Sequence, residues 1–206
     1  VVPVVGVLAL QGAFVAHEQR LAALGVRTRQ VRVASDLQEI DALVLPGGES
    51  TTMSMLLASA GLLEPIEVFL ADGRPAMGTC AGLIMLASSV LDGRSDQRCL
   101  AVLDVAVRRN GYGRQLQSFE AEIDMGADGS ATGERPSPST FPGVFIRAPR
   151  IEACGPGVEV LGTLAGEPVL VRQGRVIGAT FHPELTDDDR LHKMFIESTV
   201  MPVQAG

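Results

Sequence analysis

The chain has 206 residues, of which 46% are hydrophobic, and carries a formal net charge of −7. That is length enough for one domain with a full core, and too apolar a composition for a disordered chain. The negative balance and the lack of a basic stripe exclude nucleic acid as a partner, and the lack of an apolar run of about 18 residues excludes a membrane span.

Residues 4–10 are a continuous apolar run with β-branched members, as in a strand buried on both faces; residues 1–10 show no basic leader or cleavage-like site and read as a first strand, not a signal peptide. Gln11-Gly12 breaks the run. Residues 13–24 have helical spacing, with Phe14, Leu21 and Leu24 apolar, and Gly25 stops them as a C-cap does. Strands are predicted over 28–33 and 41–45, helices over 51–60 and 63–71, a short strand over 75–78 and a helix over 81–90. This alternation implies an α/β fold with parallel strands. The second half reads differently, with strands over 101–107, 117–123, 144–147, 158–164, 169–172 and 176–181, several of them antiparallel. A helix over 188–199 closes the chain. Residues 126–142, rich in Gly, Ser, Thr and Pro, are expected to be a flexible surface loop within a single domain spanning 1–206.

The chemistry starts at Gly78-Thr79-Cys80-Ala81-Gly82. A strand, Gly-x-Cys-x-Gly and a helix make the cysteine form of a nucleophile elbow, a sharp turn that exposes one side chain. Glycines are needed there because the turn leaves no room for side chains, and the following helix points its positive end at the sulfur, favouring thiolate. The other cysteines, Cys99 and Cys154, have no such frame and are expected to be structural or incidental. Three cysteines at this spacing form neither a disulfide framework nor a zinc pattern, so no metal and a reducing, cytoplasmic setting are expected.

Thr180-Phe181-His182-Pro183-Glu184-Leu185 follows the last apolar strand. In an extended chain, residues two apart face the same way, so His182 and Glu184 are expected to share a side. Cys80, His182 and Glu184 then supply a nucleophile, a base and a group that orients the base. Leu45-Pro46-Gly47-Gly48-Glu49-Ser50 lies at the carboxyl end of a strand, where open α/β sheets place ligands. A backbone N–H from Gly47 or Gly48, together with that of Ala81, can hold an oxyanion. Phosphate binding, the competing reading of such a turn, lacks the P-loop lysine and would be opposed by Glu49.

Several residues also have plainer readings. A lone cysteine is usually a small buried hydrophobe, but the flanking glycines argue against that for Cys80. His17 and His192 lie among polar neighbours in the first and last helices, and are read as surface or supporting residues. Arg109 and Arg147 can be plain surface charge, and 187–189 a solvated helix start.

Taken together, these motifs resemble those of the class I, triad-type glutamine amidotransferases, whose fold is a three-layer, flavodoxin-like α/β sandwich with a mixed, mostly parallel sheet. More narrowly, they resemble the glutaminase subunits of pyridoxal 5′-phosphate synthase. The narrower match rests on residues 8–13 with His17, Glu49-Ser50-Thr51-Thr52, Arg109-Asn110 with Gly113-Arg114-Gln115, Ser118-Phe119-Glu120 and Phe145-Ile146-Arg147-Ala148-Pro149. The resemblance implies hydrolysis of L-glutamine to glutamate and ammonia through a glutamyl thioester on Cys80, with His182 and Glu184 as its relay. It implies glutamine contacts from Gly48, Glu49, Ser50, Arg109, Ile146 and Arg147, and no cofactor. The implied partner is a (β/α)8-barrel synthase subunit that receives the ammonia, with Gln11-Gly12 as the place where docking would switch on the glutaminase. Two other readings remain at this stage: an amidotransferase serving another pathway, against which the 8–13 and 109–115 motifs speak, and a non-catalytic scaffold, against which the intact Cys, His and Glu speak.

Overall fold

A computed structural model describes residues 2–94, 96–111, 118–126 and 140–200. In chain order the strands are β1 (Val4–Leu8), β2 (Arg27–Val31), β3 (Ala42–Leu45), β4 (Ala76–Thr79), β5 (Ala87–Val90), β6 (Leu103–Arg108), β7 (Ser118–Met125), β8 (Thr140–Ile146), β9 (Arg150–Cys154), β10 (Glu159–Leu164), β11 (Glu167–Gln173) and β12 (Val176–Ala179). The α-helices are α1 (Phe14–Ala23), α2 (Ser50–Ser59), α3 (Leu63–Ala71), α4 (Ala81–Leu86) and α5 (Arg190–Val200). Nine strands form the main sheet in the order β2-β1-β3-β4-β12-β11-β10-β7-β8. The first five are mutually parallel and the rest run antiparallel to their neighbours.

Strands buried on both faces need apolar residues at every position, and β3 shows the consequence. Its four residues are all buried: Leu43 and Leu45 join one core cluster, Ala42 and Val44 the other. On the first face α2, α3 and α4 contribute Met53, Leu57, Ile66, Phe69 and Leu83; on the second α1 and α5 contribute Leu21, Leu191 and Phe195. Each such side chain gains about 1.5–3 kcal/mol by leaving water. Tertiary burial of this kind, more than intrinsic propensity, is what holds ten-residue helices such as α1 and α2 in place. The result is the expected three-layer α/β sandwich, with helices on both faces of a mixed sheet.

The antiparallel half bends. Register shifts in β10 fall on either side of Gly162, and a bulge of this kind increases local twist. Edge strand β8 is thereby carried round to the end of β12, where the His182 N–H donates to the Val144 carbonyl at 2.8 Å. The end of β12 and edge strand β8, four places apart in the sheet order, therefore meet in space at one end of the sheet.

The structure differs from the sequence expectation in several places. The helix expected over 81–90 stops at Leu86, and residues 87–90 form β5, which joins β6 and β9 in a second, three-stranded sheet. Ser88 helps end the helix: its hydroxyl donates to the Val105 carbonyl at 3.1 Å, a bond available only to the extended chain. β9 and a 3₁₀ turn over Ala34–Glu39 were not anticipated. Of the expected loop over 126–142, residues 127–139 lie outside the described residues, while Thr140, Phe141 and Pro142 already belong to β8. Pro142 is tolerated there because β8 is the last strand of the sheet.

Candidate active site

β4 lies between β3 and β12, with Gly78 level with Leu45 and Thr79 level with Ala179. The carboxyl ends of three adjacent strands thus deliver Pro46–Ser50, Cys80 and His182 to one edge of the sheet. The Cys80 N–H continues the ladder, donating to the Ala179 carbonyl at 2.8 Å. Cys80 then turns sharply, with φ 49° and ψ −105°. Such a backbone costs a non-glycine residue on the order of 1–3 kcal/mol and persists only where surrounding packing enforces it. Gly82 shows how tight that packing is: a Cβ there would lie 1.9 Å from the Leu45 carbonyl oxygen. Helix α4 has only six residues, so its field at the sulfur comes from about 1.7 turns at 3.6 residues per turn.

His182 opens a 3₁₀ turn over Pro183–Leu185. The sequence suggested an extended His-Pro-Glu segment; the turn instead folds Glu184 back on the ring, and Pro183 suits its first position because its φ is already fixed there. Glu184 Oε1 lies 2.7 Å from His182 Nδ1, which leaves Nε2 for the sulfur. Burial alone lowers the imidazole pKa, but hydrogen bonds to Cys80 and Glu184, and their charges, override it and raise His182 to about 10. Burial likewise opposes ionisation of Glu184; His17 and the hydrogen bond and charge of His182 outweigh it and hold the carboxyl below its ordinary range. At neutral pH the pair is therefore an imidazolium held by a carboxylate. The Cys80 thiol sits 3.8 Å from the Ile146 carbonyl, at sulfur hydrogen-bond distance.

A cavity of about 240 Å³ opens over the sulfur, lined by Gly48, Glu49, Ser50, Cys80, Ala81 and Ile84 on one side and by Arg109, Asn110, Ile146, Arg147 and His182 on the other. All six residues expected to contact glutamine line it. Gly48 and Ala81 of the expected oxyanion donors do so too. Gly47 instead packs beneath the catalytic groups: a Cβ there would lie 2.3 Å from His182 Cε1 and 3.4 Å from Cys80 Cβ. Its carbonyl faces away, accepting from the Ala13 N–H at 3.1 Å.

Glu49 has a second task. Its carboxylate accepts from the N–H groups of Thr51 at 3.1 Å and Thr52 at 2.7 Å, and from the Thr52 hydroxyl at 2.7 Å, capping α2. Burial disfavours its charge, but these donors outweigh that and lower its pKa. Arg109 reaches the cavity from the end of β6, donating from Nη1 to the Thr51 hydroxyl at 2.6 Å while its backbone N–H donates to Asp92 at 2.8 Å. Arg147 has φ 44°, so two of the four positive-φ residues other than glycine among the described residues flank the cavity. Gln11 clasps the same loop: its Nε2 donates to the Glu49 carbonyl at 3.0 Å, and Gly12, at φ 87°, leaves no room for a Cβ against the Gly47 carbonyl.

A family model of the SNO glutamine amidotransferases matches residues 7–201. The chain belongs to the SNO glutamine amidotransferase family. It is 50% identical over 194 residues to "Pyridoxal 5′-phosphate synthase subunit PdxT" of Corynebacterium jeikeium, covering 94% of this chain and 95% of that one. It is 52% identical over 201 residues to the protein of the same name from Salinispora tropica, covering 95% and 96%. A solved structure described as a glutamine amidotransferase superposes with a TM-score of 0.85 at 43% identity, covering 96% of this chain and 99% of that one. At 18% identity and a TM-score of 0.66, a putative GMP synthase subunit from Thermoplasma acidophilum shares the fold alone.

Of the two readings open for His17 and His192, surface or supporting, the surface one fails. His17 and His192 are both fully buried, directly behind Glu184. His17 Nε2 lies 3.1 Å from the Thr79 hydroxyl and 3.3 Å from Glu184 Oε2, and its Nδ1 lies 3.1 Å from His192 Nε2. The polar neighbours of His17 in sequence point to the other side of α1. Its spacing from Phe14 and Leu21, three and four residues away, was the available signal. Among the described residues no three metal-ligating side chains cluster, and no single helix is long and apolar enough to cross a membrane.

Proposed function

We propose that Cys80, His182 and Glu184 are the nucleophile, the acid–base and the orienting carboxylate of a glutaminase that feeds ammonia to pyridoxal 5′-phosphate synthesis. The observation that carries this is the 2.7 Å His182–Glu184 contact beside a strained cysteine elbow, with Cys80 and His182 both lining one cavity edged by two arginines. Free glutamine brings an α-carboxylate, which Arg109 and Arg147 match, and an α-ammonium, which Glu49 and the carbonyls around it match. Ile146 and Ser50 complete the walls.

In this reading the Cys80 thiolate attacks the side-chain carboxamide carbon. The new C–S bond pushes the carbonyl electrons onto oxygen, where N–H groups of Gly47 or Gly48 and of Ala81 hold them. His182 gives its proton to the leaving nitrogen as the C–N bond breaks and ammonia departs. Neutral His182 then takes a proton from water, whose oxygen attacks the thioester; the C–S bond breaks and glutamate leaves. Glu184 keeps the ring in the tautomer both steps need.

The ammonia acceptor is a separate synthase subunit of (β/α)8-barrel form, since nothing in this chain can build a pyridine ring. A docking face on the α1 side is supported by two apolar side chains beside the site, Val15 at 49% and Leu185 at 47% exposure. Gln11 and Gly12, already in contact with the Gly47–Glu49 loop, are where docking would reach the oxyanion donors. The three free thiols suit a reducing, cytoplasmic setting. The test is ammonia release from glutamine with the synthase subunit present. Cys80→Ala should abolish it while leaving complex formation intact; undiminished turnover by that variant would overturn the assignment.

A further inference from the structure

The triad accounts for one oxygen of Glu184. The other, Oε2, is buried and has no well-formed hydrogen bond among the described residues, yet it faces His17 Nε2 at 3.3 Å. A buried carboxylate oxygen left without a donor costs free energy and leaves the carboxylate free to rotate off the ring it should hold. His17 is the group placed to prevent that.

The tautomers can be worked out from the contacts. Suppose His17 carried its proton on Nδ1. Its Nε2 lone pair would then face the Glu184 carboxylate, and its Nδ1–H would donate to His192 Nε2, leaving a proton on His192 Nδ1. That atom is buried without a partner, so an N–H there would be stranded. In the opposite arrangement His192 Nε2–H donates to His17 Nδ1, and His17 Nε2–H is shared between Thr79 and Glu184. Only an acceptor, His192 Nδ1, is then left over, which is the cheaper omission. Both rings are neutral in this arrangement, as their burial favours: desolvation lowers the pKa of His17 and takes His192 down to about 3. The charged or titratable groups acting on this cluster are Glu184, His182 and, from the outer part of α1, Arg20.

We infer that His17 is a positioning residue of the glutaminase, its neutral Nε2–H steadying the second oxygen of Glu184, with His192 fixing the tautomer that makes this possible. This rests on the triad assignment above. It adds two residues that never touch glutamine, one 62 positions before Thr79 and the other in the first turn of α5. The device joins four elements: α1, β4 with Thr79 at its end, the turn that carries Glu184, and α5 with His192. Any displacement of α1 therefore reaches the orienting carboxylate of the triad.

The test compares His17→Leu with His17→Gln, whose amide N–H can replace the ring donor. Each is assayed in the full chain with the synthase subunit. With leucine, kcat should fall roughly 10–100-fold, by analogy with the loss of a hydrogen-bond partner behind a metal-bound histidine, while KM stays within about twofold. Glutamine should recover most of that loss. The second readout is alkylation of Cys80 by iodoacetamide against pH, which needs no glutamine turnover. The alkaline inflection, where the His182 proton leaves, should move to lower pH by about one unit in the leucine variant and return in the glutamine variant. Equal losses in the two variants, or an unmoved inflection with leucine, would overturn the inference. If the leucine variant does not fold, Thr79→Val decides: it leaves the His17 N–H to Glu184 alone, so the inflection must hold or rise, and a fall would overturn the role of His17. Were Cys80 not the nucleophile at all, Cys80→Ala would keep its turnover, a failure of the triad itself and separate from these outcomes.

Discussion

Replacing Gly47 by alanine isolates the importance of ring placement. The backbone of Gly47 lies outside the left-handed region, so alanine adds no conformational strain there. The added Cβ would lie 2.3 Å from His182 Cε1 and 2.9 Å from Nδ1. Ordinary contact begins at 3.4 Å, so Cε1 must retreat by about 1.1 Å. The ring cannot do so freely, because Nδ1 is held at 2.7 Å by Glu184 and the side chain is largely buried. Relief therefore stretches the Nδ1–Oε1 bond or moves Nε2 away from the sulfur. A misplacement of about 1 Å in a catalytic group costs on the order of 100-fold in rate, and a weakened charged hydrogen bond costs about 1.5–3 kcal/mol of stability. We expect kcat for ammonia release to drop about 100-fold with KM little changed, and the urea midpoint to fall modestly. The N–H of residue 47 remains, so loss of an oxyanion donor cannot be the cause. Turnover within threefold of the parent chain would show that the ring has room to move, and the packing argument would be wrong.

Three further outcomes follow from the same geometry. Gly82→Ala sets a Cβ 1.9 Å from the Leu45 carbonyl, backbone against backbone, and should cost at least about 3 kcal/mol of stability, the upper part of the overpacking range; a melting temperature within a few degrees of the parent would refute this. Glu49→Ala should cost about 1 kcal/mol through the lost cap of α2 and also raise KM for glutamine; a KM unchanged beside the stability loss would confine Glu49 to capping. Stability should peak near pH 6.5. His182 is raised to about 10, so its contribution is full below pH 6.5 and is lost as pH rises through 10. His17 and His192 are lowered, so below pH 6.5 the unfolded chain takes up protons that the folded chain refuses, and stability falls. Urea midpoints against pH read both arms, and His192→Gln should flatten the acid one.

The parts of the site legible in sequence are those whose geometry is local. Gly78-Thr79-Cys80-Ala81-Gly82 specifies its own turn, because each glycine is required by a clash within a few residues or with the adjacent strand. His182 and Glu184 lie two apart, so their meeting depended only on which compact conformation the chain chose; the extended reading missed the 3₁₀ turn but not the pairing. Residues 87–90 went the other way. The run from Ala81 to Ala87 is apolar throughout, and periodicity alone cannot separate a buried helix from a buried strand. What ends the helix is a hydrogen bond from Ser88 to Val105, seventeen residues on.

His17 marks the boundary of what sequence can tell. Phe14, His17, Leu21 and Leu24 follow the three-and-four spacing of one helix face, so burial of His17 could have been read from α1 alone. Its meaning could not. A buried histidine on an apolar stripe is most often inert, and this one differs only because Glu184, 167 residues away, presents an unpartnered oxygen to it while His192 lies at its other nitrogen. The same ring facing two leucines would be packing. Its role is set by what the sheet brings opposite it, through β4, which ends in Thr79, and β12, which leads to Glu184 as immediate neighbours. Where a residue acts only through a partner on another strand, the order of strands in the sheet decides its function, and composition or spacing along the chain does not.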